Sequence, residues 1–375
     1  MEMKDKIRKE SILFGKIFLI TVGIHWLIMF LTFFLMGDDG AYGINVFKAF
    51  YDKFYSYADT EHYLRIAENW YTATGEHCNN IVFYPLFPFL MKVLGFIVKD
   101  YFIAGVIISN ICVGVSGYYL YKLTSMEIGE ENAMDSLLLY IVYPFSVFTI
   151  MAYTESLSMM LVFMCLYAIK KNKWAVAGIT GFLAALTKSQ CIALFVPAVY
   201  EALVYMRNQK KFKAGTLGVL LIPCGTGLYL LMNKIIQGDW FAFAAHQEAE
   251  PWYNKAHWIS ENISQHVGMA KEYFTLGIII YWAQIILYFI VIAALFYGMK
   301  KKISTSIIAF GGAYIFLSFL HGWLISGGRY IMGCASMYII YASVENKCVR
   351  TLIMFVCALL NIFLTIGVWQ QQAIM

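Results

Sequence analysis

Charge is scarce in this 375-residue chain: Asp, Glu, Lys and Arg together make up 14% of it, against about 25% in a typical soluble domain. Hydrophobic residues make up 61%. A water-soluble fold could not bury that much apolar surface, so the composition predicts a polytopic membrane protein. The net charge of +5 does not indicate nucleic-acid binding, because the basic residues lie in short clusters between apolar runs, as in cytoplasmic loops.

Patterns for metal binding and disulfide formation are also missing. Most of the eight cysteines lie inside or beside apolar runs, and none forms a CxxC pair. A disulfide framework or a zinc site is therefore not expected, and the sequence leaves a divalent metal requirement open. The basic N-terminus is followed by an apolar run without a small-residue cleavage site, so we expect a retained first helix rather than a signal peptide. No internal repeat is visible.

The apolar runs predict an all-α transmembrane bundle of about eleven spans, with 1–375 as one membrane domain, because about 20 apolar residues are needed to cross a bilayer. The candidate spans are residues 12–36, 101–122, 134–152, 155–169, 174–188, 190–206, 214–236, 274–298, 303–320, 330–344 and 351–369.

The basic clusters predict which ends of these spans face the cytoplasm. If the spans alternate, all of the clusters fall on one side; they lie at the N-terminus and at 170–173, 207–213, 300–302 and 347–350. The acidic loop 123–133 is the weak point of this assignment, although acidic residues count little in the rule.

The apolar stretch 81–98 is not counted as a span. It contains Pro85, Pro88 and Lys92, and counting it would invert every later basic cluster. We therefore expect an interfacial or re-entrant helix against the outer face. The first outer loop then covers 37–100 and the second large outer loop covers 237–273, so most of the unusual polar residues lie on the outer side.

Asp59 opens the densest group of titratable residues, DTEHYLRIAENWY, in which apolar and charged residues separate at helical spacing. One interpretation makes Asp59 an N-cap that accepts a backbone N–H. The other makes it a general base aimed at an acceptor hydroxyl. His62, one turn later, is included as a candidate substrate-binding residue.

Other polar residues interrupt the apolar runs on the predicted outer side. Glu155 is either a surface acid at a helix start or a site residue. Lys188 is either a snorkelling lysine or an anion ligand, because cations are disfavoured on that side. The Gly327–Gly328 pair before Arg329 would let backbone approach a ligand, and the arginine fork suits a phosphate. Three more candidate substrate-binding residues, each of which could equally be structural, are Asp239, His246 and His321.

Taken together, these segments resemble the GT-C superfamily of glycosyltransferases that use lipid-linked sugars. Within it the chain is most similar to bacterial relatives of the GPI second-mannose transferase (PIG-V-like). The matching segments are Asp59 with HYLRIA at 62–67, FYPLFPFL at 83–90, YTESL at 153–157, GITGFLAALTK at 178–188, GDWFAFAAHQ at 238–247 and GGRY at 327–330. The chain departs from the family pattern at Ala58, where a tryptophan is usual, and at Ser189.

The resemblance implies an inverting transfer of a sugar, with mannose expected, from a polyprenyl-phosphate donor. It implies a GT-C fold in the cell membrane, with the active site on the extracytoplasmic side, and a glycan, glycolipid or protein acceptor. Asp59 would be the single base that inversion needs, and Lys188 or Arg329 would stabilise the phosphate leaving group. A lipid-linked donor needs no nucleotide-binding loop, and none is visible.

Two alternatives belong to other functional classes. A transporter or flippase for a lipid-linked sugar would need polar groups deep in the spans, where the sequence offers few beyond Asn110, Gln284 and Asn361. A non-catalytic membrane scaffold would have no requirement for Asp59.

Overall fold

The computed structural model describes residues 2–36, 42–272, 281–322 and 324–372. Within these ranges the fold is all-α, with 3-10 turns between the helices and no β-strand. The α-helices are α1 (Glu2–Met36), α2 (Val46–Phe54), α3 (Asp59–Asn69), α4 (Leu86–Val98), α5 (Tyr101–Ile128), α6 (Ala133–Val142), α7 (Glu155–Lys170), α8 (Trp174–Ala185), α9 (Phe195–Gln209), α10 (Leu221–Gln237), α11 (Ala242–Glu248), α12 (Ile259–Glu272), α13 (Ala283–Lys300), α14 (Thr305–Phe319), α15 (Gly327–Ile331), α16 (Ala335–Ala342) and α17 (Lys347–Trp369).

Six helical stretches in the described ranges are long and apolar enough to cross a bilayer. They are Lys4–Met36, Tyr101–Ile128, Ser189–Gln209, Ala214–Gln237, Ala283–Lys300 and Lys347–Trp369. The predicted count of eleven is therefore not confirmed. Residues 274–280 of the eighth predicted span, 37–41 of the first outer loop and 273 of the second lie outside the described residues.

The other predicted spans are shorter helices, because the chain breaks where the sequence had suggested continuous runs. The α-helix at the span predicted at 134–152 is α6, which has only 10 residues, Ala133–Val142, since Pro144 cannot continue the hydrogen-bonded helix. Helix α7 has 16 residues, or about 24 Å at 1.5 Å per residue, which is less than the hydrocarbon thickness of about 30 Å. Helices α8, α14 and α16 have 12, 15 and 8 residues.

Helix α5 packs against α1, α4, α6 and α7, and α8 packs against α7 and α10. The last of these contacts depends on glycine. A Cβ placed on Gly225 of α10 would lie 2.3 Å from the carbonyl oxygen of Phe182, and one on Gly178 of α8 would lie 2.0 Å from that of Gly218, in the 3-10 helix that leads into α10, so only glycine allows the backbones to approach this closely.

One end of the bundle, here called the basic end, gathers the basic clusters and pairs them with acids. Nζ of Lys170 lies 2.8 Å from Oε1 of Glu127, and Nη1 of Arg350 lies 3.1 Å from Oδ2 of Asp135. Glu127, from the acidic loop 123–133, is therefore a counterion of a basic cluster. It does not mark the opposite side of the bundle.

Helix α4 lies along α3, with Nζ of Lys92 donating to the carbonyl oxygens of Ala67 and Glu68 at the end of α3. The N–H of Leu86, at the start of α4, donates to the carbonyl oxygen of Leu186. The 13 residues of α4 extend about 20 Å, so this helix is shorter than the hydrocarbon thickness of a bilayer, about 30 Å.

Candidate active site

At the end of the bundle opposite the basic end, called the site end, an open cavity lies where α3, α4, α7 and α15 begin and where α8 and α14 end. Its volume, including solvent at the mouth, is about 940 Å³. The lining residues used below are Asp59, Phe83, Glu155, Lys188, Ser189, Gln190, Gln247, Trp252, Asn254, His321, Arg329 and Tyr330.

Four of the sequence candidates form a continuous set of ion pairs, here called the four-charge cluster: Asp59, Glu155, Lys188 and Arg329. Nη2 of Arg329 donates to Oδ2 of Asp59 at 2.6 Å, and its Nε lies 3.0 Å from Oε1 of Glu155. Nζ of Lys188 donates to the same Glu155 oxygen at 2.8 Å. Two anions and two cations leave no net charge, which limits the cost of burying them together.

The members of the cluster differ in exposure. The side chain of Glu155 is 2% exposed, Arg329 9% and Lys188 12%, whereas Asp59 is 22% exposed. Asp59 is therefore the carboxylate that faces the cavity, and Glu155 is the buried counterion between the two cations. On its own, burial would lower the pKa of Arg329, but the carboxylates of Asp59 and Glu155 outweigh it and hold this pKa well above the usual value.

Asp59 is the first residue of α3, and the N-cap interpretation is wrong. The capping position belongs to Ala58, and no side chain caps the helix; the Asp59 carboxylate binds Arg329. Ala58 has φ +44°, a region that non-glycine residues rarely adopt. The backbone here is held by Tyr153, whose hydroxyl accepts from the Asp59 N–H and donates to the Tyr57 carbonyl oxygen, both at 3.2 Å.

Arg329 is positioned by the two glycines before it, although not in the way the sequence suggested. A Cβ on Gly328 would lie 2.0 Å from the Phe145 ring, and one on Gly327 would lie 2.6 Å from Tyr288. The expectation that these glycines approach a ligand is therefore wrong, since they pack against aromatic rings. The Gly328 N–H donates to Oε1 of Gln284, which fixes the backbone beside Arg329.

His321 lies beside Lys188 in the cavity wall. Its Nε2 is 3.2 Å from the Ser189 hydroxyl, and Nζ of Lys188 lies 5.6 Å from the centre of the Tyr330 ring. Burial, and then the charge of Lys188, lower the pKa of His321 to about 4. His321 is therefore uncharged near neutral pH and offers hydrogen bonds without adding charge.

Three sequence candidates do not line the cavity. His62 lies behind it, in contact with Phe83 and Trp252. The Asp239 carboxylate accepts from the Phe241 N–H at 3.0 Å, and Nε2 of His246 lies 3.0 Å from Oε1 of Gln237. Direct substrate contacts for these residues stay predictions.

Several lining residues were not candidates from sequence because they are neutral. They are Gln190, Gln247, Trp252, Asn254 and Tyr330. Two kinds of signal were available: Gln247 and Tyr330 end the segments GDWFAFAAHQ and GGRY, and the others are marked by position, because Gln190 follows the break at Lys188 and Trp252 and Asn254 lie in the predicted second outer loop. Among the described residues no group of three or more His, Cys, Asp and Glu side chains could hold a metal ion.

Residues 84–229 match the family model described as dolichyl-phosphate-mannose-protein mannosyltransferase. This match indicates a glycosyltransferase. The matched segment contains Glu155 and Lys188 of the four-charge cluster, whereas Asp59 and Arg329 lie outside it. No curated protein matches the chain.

Solved structures similar to the chain include three of the Archaeoglobus fulgidus oligosaccharyltransferase. The complex with zinc and sulfate has 14% identity and a TM-score of 0.48, over 95% of this chain and 52% of that one. The form tethered to an acceptor peptide has 12% identity and a TM-score of 0.48, over 96% and 55%. The apo form has 11% identity and a TM-score of 0.47, over 96% and 56%. The chain thus spans about half the length of these structures.

Proposed function

We propose that the protein is a GT-C-type membrane glycosyltransferase with the PIG-V-like enzymes as its expected relatives. It moves a sugar, with mannose expected, from a polyprenyl-phosphate donor to an acceptor at the outer face of the membrane. The observation that carries the proposal is the partly exposed carboxylate of Asp59 in an open cavity, within one cluster of ion pairs that also contains Lys188 and Arg329.

The transfer needs one displacement at the anomeric carbon. Asp59 accepts the proton of the acceptor hydroxyl while the hydroxyl oxygen forms a bond to that carbon. The bond from the anomeric carbon to the phosphate oxygen breaks, and the electron pair leaves with the polyprenyl phosphate. The configuration inverts, and no covalent enzyme intermediate is needed.

The two cations take different roles. Arg329 bridges both carboxylates of the cluster, so it orients Asp59. Lys188 has one carboxylate partner within the described residues and lies beside the uncharged His321 and Ser189. Lys188 is therefore the group that meets the donor phosphate as charge develops on it.

The proposed side of the membrane follows from the two ends of the bundle. The basic end carries the clusters expected in the cytoplasm, and the cavity lies at the other end. The contacts of α4 support an interfacial position for this helix. At its start, Leu86 contacts Leu186, two residues before the cavity-lining Lys188. Just after its end, Asp100 accepts from the hydroxyl of Tyr51 in α2. Both ends of α4 thus contact segments of the site end.

The flippase alternative receives no support from the polar residues inside the spans. Asn110 bonds to Trp26 and to backbone carbonyls, Gln284 accepts from Gly328, and Asn361 donates to Tyr143 and Ser146. These groups join helices to one another, so they do not form a polar path for a substrate.

Proteoliposomes separate the two functions. They would contain the purified protein, polyprenyl-phosphate mannose with a tritiated sugar, and membrane-derived glycolipid, glycan or peptide acceptors. The proposal predicts label in a product whose new glycosidic bond is inverted relative to the donor. Movement of the labelled lipid between leaflets without any new glycosidic bond would contradict it and favour the flippase.

A further inference from the structure

Two aromatic side chains form a wall of the cavity that the transfer chemistry does not use. The rings of Phe83 and Trp252 have centroids 5.4 Å apart and planes at 75°. They meet edge to face and form what we call the aromatic corner. Both residues line the cavity and are partly buried.

His62 supports this corner from behind. Its ring centroid is 4.9 Å from each of the two rings, nearly parallel to Phe83 at 22° and tilted by 57° from Trp252. Its Nδ1 lies 2.9 Å from Oδ1 of Asn80. Because an amide oxygen can only accept, this contact puts a proton on Nδ1 and fixes the ring plane.

The same face of α3 carries the proposed base and the support of the corner. Asp59, His62 and Tyr63 are spaced i, i+3 and i+4, so they lie on one helix face with about 5–6 Å between neighbouring Cβ atoms. Tyr63 also packs against Phe83, at 5.2 Å between centroids. One helical turn therefore separates the base from His62, the support of the aromatic corner, and the base and the corner line the same cavity.

Trp252 is held in place although it lies in a connecting segment. The Asn254 N–H donates to the Gln247 carbonyl oxygen at 2.6 Å, and the His257 N–H donates to Leu320 at 3.1 Å. A Cβ on Gly322 would lie 2.4 Å from the Lys255 carbonyl oxygen, so the segment packs closely against the chain that follows α14.

The chemistry of this wall suits a sugar ring. The C–H face of a pyranose is apolar and packs on aromatic faces, whereas its hydroxyls need neutral donors and acceptors. The amides of Gln247 and Asn254 line the same cavity. The corner itself carries no charged group that could hold a phosphate; the charges lie in the four-charge cluster.

Resting on the proposed function, we propose that Phe83 and Trp252 form a subsite for a pyranose ring, with His62 as its positioning residue. The ring belongs either to the transferred sugar or to a sugar of the acceptor. The phosphate of the donor binds elsewhere in the cavity, at Lys188. His62 acts through the two aromatic rings and does not touch the substrate.

The test compares Trp252→Leu and Trp252→Phe with Trp258→Leu. Trp258 belongs to the same segment, is 69% exposed and does not line the cavity. For each variant in nanodiscs we would measure the Kd for polyprenyl-phosphate mannose and for sugarless polyprenyl phosphate, together with KM for donor and acceptor. The apparent Tm of each variant checks its folding.

We expect Trp252→Leu to raise one of these KM values about tenfold, Trp252→Phe to keep most of the affinity, and Trp258→Leu to leave it unchanged. A raised donor KM and Kd assign the subsite to the transferred sugar, and a raised acceptor KM assigns it to the acceptor. The Kd for sugarless polyprenyl phosphate stays within about twofold of wild type in every variant. His62→Ala should reproduce part of the rise in KM, and His62→Phe should return the KM toward the wild-type value, because a planar ring supports the corner.

The inference is overturned if Trp252→Leu changes no KM or Kd, or if it weakens sugarless polyprenyl phosphate as much as the sugar-bearing lipid. If the wild type is active and Asp59→Asn is inactive, either of these results rejects the subsite but leaves the proposed glycosyltransferase function standing. A wild type without transferase activity removes the proposed function, and the two Kd values then test whether the subsite holds the sugar of the donor lipid.

Discussion

Glu155 gives the sharpest test of the four-charge cluster. Its side chain is 2% exposed, and one oxygen neutralises both Lys188 at 2.8 Å and Arg329 at 3.0 Å. Glu155→Gln keeps the shape and removes the charge, so two largely buried cations share Asp59 as their remaining carboxylate in the cluster. Removing one partner of a buried ion pair costs about 3–5 kcal/mol, which corresponds to a fall of about 4–6 °C in apparent Tm for a chain of this size.

The same substitution should affect ligand binding in the opposite direction. The cluster changes from neutral to a net charge of +1, and Lys188 loses its carboxylate partner. We expect polyprenyl phosphate to bind about tenfold more tightly to Glu155→Gln than to wild type. Lower stability with higher anion affinity is a combination that a general packing defect does not produce.

Melting in detergent, followed by intrinsic fluorescence, and the Kd for polyprenyl phosphate measure the two effects. Glu68→Gln is the matched control, since Glu68 is exposed on α3, and its effect should stay within about 0.5 kcal/mol. The double variant Glu155→Gln with Lys188→Met restores neutrality and should cost less than the sum of the single variants by about 0.5–3 kcal/mol. A Glu155→Gln variant as stable as Glu68→Gln, or additive single effects, would show that Glu155 is not the shared counterion of Lys188 and Arg329.

Two further predictions concern pH and helix packing. The pKa of His321 is lowered to about 4 from 6.5, so the folded state loses stability as pH falls from about 6.5 to 4, because the unfolded chain binds the proton first. His321→Gln should flatten this decline by up to about 3 kcal/mol in melting curves across that range; an unchanged slope would contradict the assignment. Gly178→Ala should destabilise by about 1–3 kcal/mol because its Cβ meets Gly218. Gly227→Ala, which has open space around the new Cβ, should not be destabilising. Equal melting temperatures for Gly178→Ala and Gly227→Ala would contradict the close packing of Gly178 against Gly218.

The chemistry of the cluster could be predicted from sequence, but its pairing could not. Asp59, Glu155, Lys188 and Arg329 stand out because charged residues interrupt apolar runs where burial is expensive. Nothing in one sequence says that Arg329 reaches Asp59 across 270 positions. The sequence offered Lys188 and Arg329 as equivalent phosphate ligands, and only the ion-pair geometry distinguishes them.

The neutral part of the cavity was harder to predict. Gln190, Gln247 and Asn254 are ordinary polar residues in sequence, and Trp252 is one of nine tryptophans in a chain whose aromatic residues suit membrane interfaces. The titratable ring of His62 suggests a substrate contact, yet in the fold it supports aromatic side chains. Asp239 and His246 were selected for their motif, and their observed contacts are local.

All-α architecture followed directly from composition, whereas the number of spans did not. The hydropathy pattern predicts one continuous span where the chain breaks at Pro144, because the flanking residues stay apolar on both sides, whereas the break at Lys188 is visible in the sequence. Both breaks lead the chain to the cluster residues at the cavity, so the break that hydropathy misses adjoins the candidate active site.

The most direct test of the central claim is the kcat of Asp59→Asn. Asp52→Asn is its matched control, since Asp52 is exposed on α2. With polyprenyl-phosphate mannose as donor, we expect a kcat lowered by about 10²–10⁴-fold in Asp59→Asn and unchanged in Asp52→Asn. Equal kcat values for Asp59→Asn and wild type would show that Asp59 is not the base.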